Sequence, residues 1–208
     1  MPLVLPKPRL APLARLSRRR ISQHKVFDVS EGTWKRRDGA TLGPFVTFEC
    51  PDWCNVVAVT AESELVLIWQ YRFGTDALSL ELPGGVIDEG ESPRAAAGRE
   101  LREETGYVAS ELRPLLAVHP NPALQGNVCH SFVARGARLV GPTEFDDNEE
   151  CEVALVPIAH AYELITEGHV THALCITAIQ AFLLSDHAGP LEPGRDGGPS
   201  VRDSPAVL

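Results

Sequence analysis

The sequence predicts an α/β domain of the α+β kind, in which helices flank a mixed and mostly antiparallel sheet. Two patterns carry this prediction: a series of short β-branched or aliphatic segments, and helical segments with recognisable ends interspersed among them. The composition agrees, because 208 residues with 44% hydrophobic and 23% charged residues are enough to build a core. Wholesale disorder and fibrous structure are therefore excluded.

The strand pattern begins with a hairpin and continues through most of the chain. Residues 25–36 and 41–50 flank an Asp38-Gly39 turn, the usual signal of a β-hairpin. Aliphatic and β-branched residues then predict further strands at 55–60, 64–71, 78–82, 127–135 and 153–158. In strand 78–82 three leucines alternate with polar residues, so Glu81 is expected on the face opposite to the leucines.

Three helices are expected, and the first has the clearest ends. Ser92 and Pro93 start it as N-cap and first-turn residue, and Gly106 stands just past its end. Two more helices are predicted at 159–167 and 171–185. The flanking segments 1–24 and 186–208 are rich in Pro, the first also in Arg and the second in Gly, and are expected to be disordered tails around a domain at 25–185.

Charge is distributed very unevenly along the chain. The first 37 residues contain ten of the 19 Lys and Arg and two acids, whereas the remainder has nine basic and 26 acidic residues. An acidic body repels a nucleic-acid backbone, so we expect no nucleic-acid partner. No segment reaches the roughly 18 apolar residues of a membrane helix, so we expect a cytoplasmic protein without a membrane partner.

The five cysteines form neither a Cys-x-x-Cys pair nor a plausible disulfide framework. They are interpreted as reduced thiols without a metal. His169 and His172 have a spacing seen in metal sites, but we expect this to be accidental, because no carboxylate lies in a matching position in the sequence.

The first predicted helix breaks the usual rules for charge placement. Glu100, Glu103 and Glu104 lie in its last turn and a half, where the helix dipole disfavours negative charge, and Glu100 and Glu104 repel each other at i,i+4. A hard divalent cation with oxygen ligands compensates such a cluster most simply, which points to Mg2+, with Mn2+ as the alternative. Arg99 is placed to pair with Glu103 or with Glu91.

The helix belongs to a longer motif. Residues 85–107 follow the pattern G-x5-E-x7-R-E-U-x-E-E-x-G-U, where U is aliphatic, and the one departure is Tyr107 at the last position. This segment resembles the signature of the Nudix hydrolases. The resemblance implies metal ligands at Glu100 and Glu104 with help from Glu103, together with a backbone carbonyl, assigned to Gly84. It also implies that Gly85, Glu91 and Arg99 orient these ligands.

The helix does not supply a general base if all its carboxylates bind the cation. Residues 144–152 contain six acids just before a predicted strand. In the ADP-ribose branch of the Nudix hydrolases a loop in this order supplies the catalytic glutamate. By that resemblance Glu149 is the first candidate for the base, followed by Glu150 and Glu152.

Residues 70–74 and 81–85, Gln-Tyr-Arg-Phe-Gly and Glu-Leu-Pro-Gly-Gly, are similar to the ADP-ribose and nucleoside diphosphate sugar hydrolases. The resemblance implies that Arg72 and Glu81 contact the substrate, a small nucleoside diphosphate derivative that is hydrolysed to a nucleoside monophosphate and a sugar phosphate. It also implies a homodimer built through the N-terminal hairpin, with Trp34 and Phe45 at the interface. The alternatives are another Nudix substrate, such as a dinucleoside polyphosphate or coenzyme A, and a nucleotide sensor without activity.

Overall fold

The computed structural model describes residues 3–144 and 150–187, and the side chains of residues 186 and 187 are not described. The chain divides into two compact units. The first comprises Met1–Pro51 and Asn121–Asn127, and the second comprises Asp52–Pro120 and Val128–Leu208.

The first unit contains a three-stranded antiparallel sheet in the order β1-β2-β3. The strands are β1 (Ala14–Gln23), β2 (Asp28–Lys35) and β3 (Thr41–Glu49). The predicted hairpin is confirmed, because β2 pairs with β3 around the Asp38-Gly39 turn. Asp38 holds the turn by accepting the Ala40 N–H at 3.0 Å, and Gly39 has a φ of 90°, which favours glycine.

Strand β1 occupies a segment that the composition predicted to be disordered. Its basic residues face acids on the neighbouring strand: Arg19 is 2.6 Å from Glu31 and Arg20 is 2.9 Å from Asp28. A backbone ladder with β2 runs along the whole strand. The prediction of a tail at 1–24 therefore differs from the structure over residues 14–23, because the partners that order the strand lie in later segments. Most of the C-terminal segment, 188–208, lies outside the described residues.

Within the described part of the second unit, seven strands form one sheet in the order β10-β5-β4-β9-β7, with β6 pairing to β5 and β8 pairing to β9. The pairing of β4 with β9 is parallel, and the other pairings are antiparallel. The strands are β4 (Trp53–Thr60), β5 (Glu64–Arg72), β6 (Ala77–Glu81), β7 (Tyr107–Val108), β8 (Leu112–Val118), β9 (Cys129–Leu139) and β10 (Cys151–Pro157).

The helices of this unit are α1 (Pro93–Thr105), α2 (Ala161–Thr166), which follows a short 3-10 helix at Ile158–His160, and α3 (Ala173–His187). Alternate residues of β4 belong to two different apolar clusters: Val56 and Ala58 pack with α1, whereas Val57 and Val59 pack with α3. Since successive strand residues point to opposite faces, α1 and α3 cover opposite faces of the sheet.

The predicted strands and helices of this unit are confirmed, with ends that shift by a few residues. Strands β7 and β8 were not predicted, because β7 has only two residues and β8 contains Pro114 at an irregular point of its pairing with β9. The five cysteines are free. Among the described residues, no helix has both the length and the apolar character needed to cross a membrane.

Candidate active site

Helix α1 has the ends that its sequence predicts. The Ser92 hydroxyl accepts the Ala95 N–H at 3.2 Å, Pro93 is the first helical residue, and the Gly106 N–H donates to the Arg102 carbonyl at 2.8 Å. Gly106 has a φ of 71°, in the left-handed region. These contacts fix where α1 begins and ends, and its apolar residues Ala96, Ala97 and Leu101 determine which side packs on the sheet.

Arg99 lies at the centre of the acidic residues of α1. Its guanidinium donates to both oxygens of Glu91 at 3.2 and 3.0 Å, to Glu100 at 2.8 Å, to Glu103 at 3.0 Å and to the Val86 carbonyl at 3.2 Å. The hydrogen bond with Glu91 is the main reason that the pKa of Arg99 is raised, and the same contact lowers the pKa of Glu91. The sequence left Glu91 and Glu103 as alternative partners, and the structure shows that Arg99 contacts both.

Glu104 is buried and is tied to the glycine pair that precedes the helix. Its Oε2 accepts the Gly84 N–H at 2.7 Å, and only 7% of the residue is exposed. The carbonyls on either side, those of Pro83 and Gly85, accept N–H groups of β4 at 2.9 Å. Because carbonyl directions alternate along extended backbone, the Gly84 carbonyl points away from β4, to the side where its N–H meets Glu104.

The two glycines make room for different neighbours. A Cβ atom at Gly85 would lie 2.6 Å from Oε1 of Glu100, which is the space that the carboxylate fills. A Cβ at Gly84 would lie 2.2 Å from the backbone carbonyl of Cys54. Gly85 therefore allows a carboxylate to approach the backbone, and Gly84 allows the chain to lie against β4.

The structure thus brings together the residues to which the sequence assigned a metal. Carboxylates of Glu100, Glu103 and Glu104 project from one helix, two of them are bound by the same guanidinium, and the third meets the backbone of Gly84. This donor set consists of oxygen atoms, several of them charged, and it suits a hard cation such as Mg2+ or Mn2+. The absence of a Cβ at Gly85 makes room for the Glu100 carboxylate of this set.

Arg72 and Glu81 form a second polar group on the sheet. Arg72 donates from Nε to Oε1 of Glu81 at 2.9 Å and from Nη2 to Oε2 at 2.8 Å, and Glu81 is only 2% exposed. Burial alone would raise the pKa of Glu81, but the contacts with Arg72 and His172 outweigh it, and the pKa is lowered. The sequence assigned a substrate role to both residues without predicting that they pair.

His172 was not predicted as part of any site. Its Nδ1 lies 3.2 Å from Oε2 of Glu81 and 3.2 Å from Sγ of Cys175, whose thiol also lies 3.3 Å from the Leu82 N–H. The expectation that the two histidines lack carboxylate partners is wrong, because His169 also contacts Glu167 at 3.2 Å. Burial raises the pKa of Cys175 to about 12. Glu81 is the residue from which such a site could have been predicted, because an acid buried in a strand requires polar partners.

Comparisons with known proteins agree with this geometry. The family model described as "NUDIX domain" matches residues 54–177, which is more than half of the chain. The chain belongs to the Nudix family. It is 33% identical over 132 residues to the ADP-ribose pyrophosphatase of Bacillus subtilis (strain 168), an alignment that covers 63% of this chain and 71% of that protein.

Another relative is the ADP-ribose pyrophosphatase of Mycobacterium tuberculosis (strain ATCC 25618 / H37Rv), which is 30% identical over 153 residues, 70% of this chain and 74% of that protein. A solved structure described as "Crystal structure of ADP compounds hydrolase" superposes with a TM-score of 0.75 over 89% of this chain and 100% of its own, at 24% identity. That superposition shows the fold. The chain is therefore a Nudix pyrophosphohydrolase that is similar to the ADP-ribose pyrophosphatase branch.

The acids assigned as base candidates in this Nudix protein lie in or beside the segment before β10. Glu149 lies outside the described residues, and Glu150 is exposed. Glu152 is exposed and pairs with Trp69, so the alternation of side chains places it on the opposite face of the sheet from Arg72. Among the base candidates, Glu152 therefore lies on the side of the sheet that faces away from Arg72.

The start of the same acidic segment is attached to the end of the Nudix helix. Glu144 accepts a hydrogen bond from Arg102 at 2.7 Å, and its N–H donates to the Glu103 carbonyl at 2.7 Å. Both contacts involve the C-terminal turn of α1, from which Glu103 and Glu104 project. Glu144 therefore lies beside the C-terminal turn of α1.

Proposed function

We propose that this Nudix protein hydrolyses the pyrophosphate bond of ADP-ribose or a related nucleoside diphosphate sugar, in a Mg2+-dependent reaction that yields a nucleoside monophosphate and a sugar phosphate. One observation carries the proposal: Arg99 gathers the carboxylates of α1 at a glycine pair whose backbone binds Glu104. The similarity to ADP-ribose pyrophosphatases supports the choice of substrate.

The residues that would hold the cation are Glu100, Glu103 and Glu104, with the Gly84 carbonyl. Bound Mg2+, or Mn2+ as the alternative, neutralises charge on a pyrophosphate and lowers the pKa of a bound water. The role of Arg99 and Glu91 is to hold these carboxylates in one arrangement, since a guanidinium with several partners restricts all of them at once. Gly85 makes room for the Glu100 carboxylate.

Arg72 is the group best suited to bind the diphosphate. Its side chain is 45% exposed, and Glu81 holds it through two of its five N–H donors, so donors remain for phosphate oxygens. The pairing fixes the direction of the guanidinium before substrate arrives. Glu81 thus takes part in substrate binding by orienting Arg72, because the carboxylate itself is only 2% exposed.

A carboxylate from the acidic segment accepts the proton of the attacking water in this proposal. Glu149 is the first candidate, followed by Glu150, and Glu103 is the remaining candidate on the helix; Glu152, the third candidate of the segment, is disfavoured by its place on the face of the sheet opposite to Arg72. The attachment of Glu144 to the end of α1 supports a base from this segment, because Glu144 begins the acidic segment and contacts the helical turn that carries Glu103 and Glu104. Replacing each candidate with Gln and comparing the pH dependence of kcat would separate them, since only the base sets the acidic limb.

Hydrolysis of a substrate panel tests the proposal. Purified protein would be incubated with ADP-ribose, ADP-glucose, GDP-mannose, UDP-glucose, a dinucleoside polyphosphate and coenzyme A, with Mg2+, with Mn2+ or with a chelator. We expect fast release of a nucleoside monophosphate from one sugar diphosphate, loss of the reaction with chelator, and loss in the Glu104→Gln variant.

Preferred cleavage of the dinucleoside polyphosphate or of coenzyme A would contradict the proposed substrate class. It would still agree with metal-dependent hydrolysis of a pyrophosphate bond. Binding of ADP-ribose by a folded protein without hydrolysis of any compound would contradict the activity and favour a sensor.

We further propose a homodimer formed through the sheet of the first unit. Phe45 and Val46 of β3 are 51% and 47% exposed, and the Trp34 ring lies 5.9 Å from the Phe45 ring, so apolar side chains are available on this sheet. Light scattering coupled to size-exclusion chromatography tests this, with Phe45→Ser as the variant. A dimeric mass that falls in the variant is expected, and a monomeric wild type at micromolar concentration would contradict it.

A further inference from the structure

We propose that Glu81, His172 and Cys175 form a binding site for a zinc-like divalent cation, distinct in its ligands from the carboxylate site of α1. We refer to these three residues as the β6–α3 cluster, because Glu81 ends β6, His172 immediately precedes α3 and Cys175 lies in its first turn. The donor atoms of all three lie within 4.8 Å of one another. No step of the proposed hydrolysis requires His172 or Cys175.

Two of the three donor–donor distances are close to the edges of a zinc tetrahedron, and the third, between Glu81 and Cys175, lies within 4.8 Å. Zinc binds imidazole nitrogen, carboxylate oxygen and thiolate sulfur at about 2.0–2.3 Å, which gives edges of about 3.3–3.8 Å between donors. Nδ1 of His172 is 3.2 Å from Oε2 of Glu81 and 3.2 Å from Sγ of Cys175. Two edges are thus nearly formed, and shifts of a few tenths of an ångström would complete them.

The chemistry of the donors selects the cation. One imidazole, one thiol and one carboxylate form a mixed set that suits Zn2+ and similar transition metals, whereas Mg2+ prefers oxygen donors only. The carboxylates of α1 are such an oxygen set. The two clusters are therefore expected to bind different cations from the same solution.

The surroundings hold the donors in place. The two hydrogen bonds from Arg72 orient the Glu81 carboxylate, and the Leu82 N–H points at the sulfur of Cys175, in the way that outer groups commonly support metal ligands. Cys175 and Glu81 are 1% and 2% exposed, so water is largely excluded from two of the three donors.

Solvent reaches the cluster from the side of His172. Its side chain is 40% exposed, which offers an entry path and a place for a water as the fourth ligand. A cation can therefore reach the buried thiol without opening the core that Cys175 shares with Ile179 and Phe182. With one water, the site has the three protein ligands and the open position of a tetrahedral zinc centre.

Cobalt absorption tests the proposal on the reduced full-length protein. Saturating Mg2+ would first occupy oxygen sites, and Co2+ would then be titrated while the near-ultraviolet charge-transfer band between thiolate and cobalt is recorded. We expect one Co2+ per chain with this band, and stoichiometric displacement by Zn2+. The band reports a sulfur ligand, which the carboxylates of α1 do not supply.

Matched variants assign the band to the cluster. Cys175→Ser is expected to abolish it and His172→Asn to weaken Co2+ affinity at least ~10-fold, as expected for loss of a ligand. Cys50→Ser and His169→Asn, which alter another thiol and a neighbouring exposed histidine, are expected to leave it unchanged.

Circular dichroism would show that each variant is folded. His172→Asn keeps the test decisive if Cys175→Ser disturbs the core, because His172 is only partly buried. The absence of the band in the wild type, or its persistence in a folded His172→Asn protein with unchanged affinity, would overturn the proposal.

Discussion

Two polar clusters in the second unit reach their geometry by different routes. The cluster of α1 is local: Glu91 to Glu104 span little more than one helix, and Arg99 contacts its acids at separations of one, four and eight residues. The β6–α3 cluster joins residues far apart in the chain, since 93 positions separate Leu82 from the thiol of Cys175. Helical periodicity places Glu100, Glu103 and Glu104 near Arg99, and the loop before the helix adds Glu91, whereas the second cluster exists only after β6 and α3 have packed.

The two clusters also differ in how their negative charge is stabilised. Glu103 keeps 38% of its side chain exposed, so water and a cation can reach the α1 carboxylates. Glu81 is 2% exposed, and its charge is maintained by Arg72 and His172. Clustered acids in one helix therefore indicate a bound ligand, whereas a single buried acid indicates partners elsewhere in the fold.

The largest expected effect is on the local cluster, through Glu104→Gln. The amide keeps an oxygen that can accept the Gly84 N–H but loses the charge, so kcat should fall at least ~100-fold with the fold retained. Steady-state hydrolysis of ADP-ribose with Mg2+ measures this, with circular dichroism as the check of folding. Glu111→Gln, at an exposed carboxylate that pairs with Arg113, is the control. Turnover like that of the wild type would show that Glu104 is not a ligand.

The second largest loss of activity is expected when Arg99, at the centre of the α1 cluster, is replaced. Arg99→Ala leaves Glu91, Glu100 and Glu103 without their common partner, so activity should fall ~10–100-fold, as when groups behind metal ligands are removed. Arg99→Lys should restore little, because one ammonium cannot make the same contacts as the guanidinium. Kinetics at increasing Mg2+ would measure both variants. Full activity of Arg99→Lys would show that a positive charge at this position is enough to hold the carboxylates.

Arg72→Ala tests the long-range cluster through its pH dependence. The lowered pKa of Glu81 means that the pair stabilises the fold above the ordinary glutamate pKa of about 4.3 and loses this contribution as pH falls through the folded-state pKa. The variant should be less stable by about 1–3 kcal/mol at neutral pH.

The difference in free energy of unfolding between wild type and Arg72→Ala should shrink below about pH 4. Denaturant unfolding at pH 7, 5 and 3, with chelator present, measures it. A difference that stays constant across this range would contradict the assignment to Glu81.

The smallest loss of activity is expected from Gly85→Ala, beside the α1 cluster. Gly85→Ala places a Cβ against the Glu100 carboxylate, which can move because it is the end of a flexible side chain, so activity should fall roughly 10-fold with little loss of stability. Gly98→Ala, within α1 and 3.3 Å from a Leu112 methyl, is the matched control and should keep full activity. Equal activity of the two variants would show that the space beside Glu100 is not used.

The sequence predicted most of the second unit and missed features that depend on distant partners. The ends of α1 were predictable because Ser92, Pro93 and Gly106 act on the backbone beside them. Strand β1 was missed because its arginines look like a solvated tail until Glu31 and Asp28 lie opposite to them. Glu149, the first candidate for the base, lies outside the described residues and stays a prediction.

The sequence by itself determined the Nudix motif, its helix and the set of carboxylates, because these depend on contacts within a few residues and on a fixed helical period. Tertiary structure alone decided that Arg99 binds Glu91, Glu100 and Glu103 together, that Arg72 pairs with Glu81, and that His172 and Cys175 join them. The physical reason is that a strand or helix specifies which face a side chain occupies, whereas its partner across the fold depends on how separate elements pack.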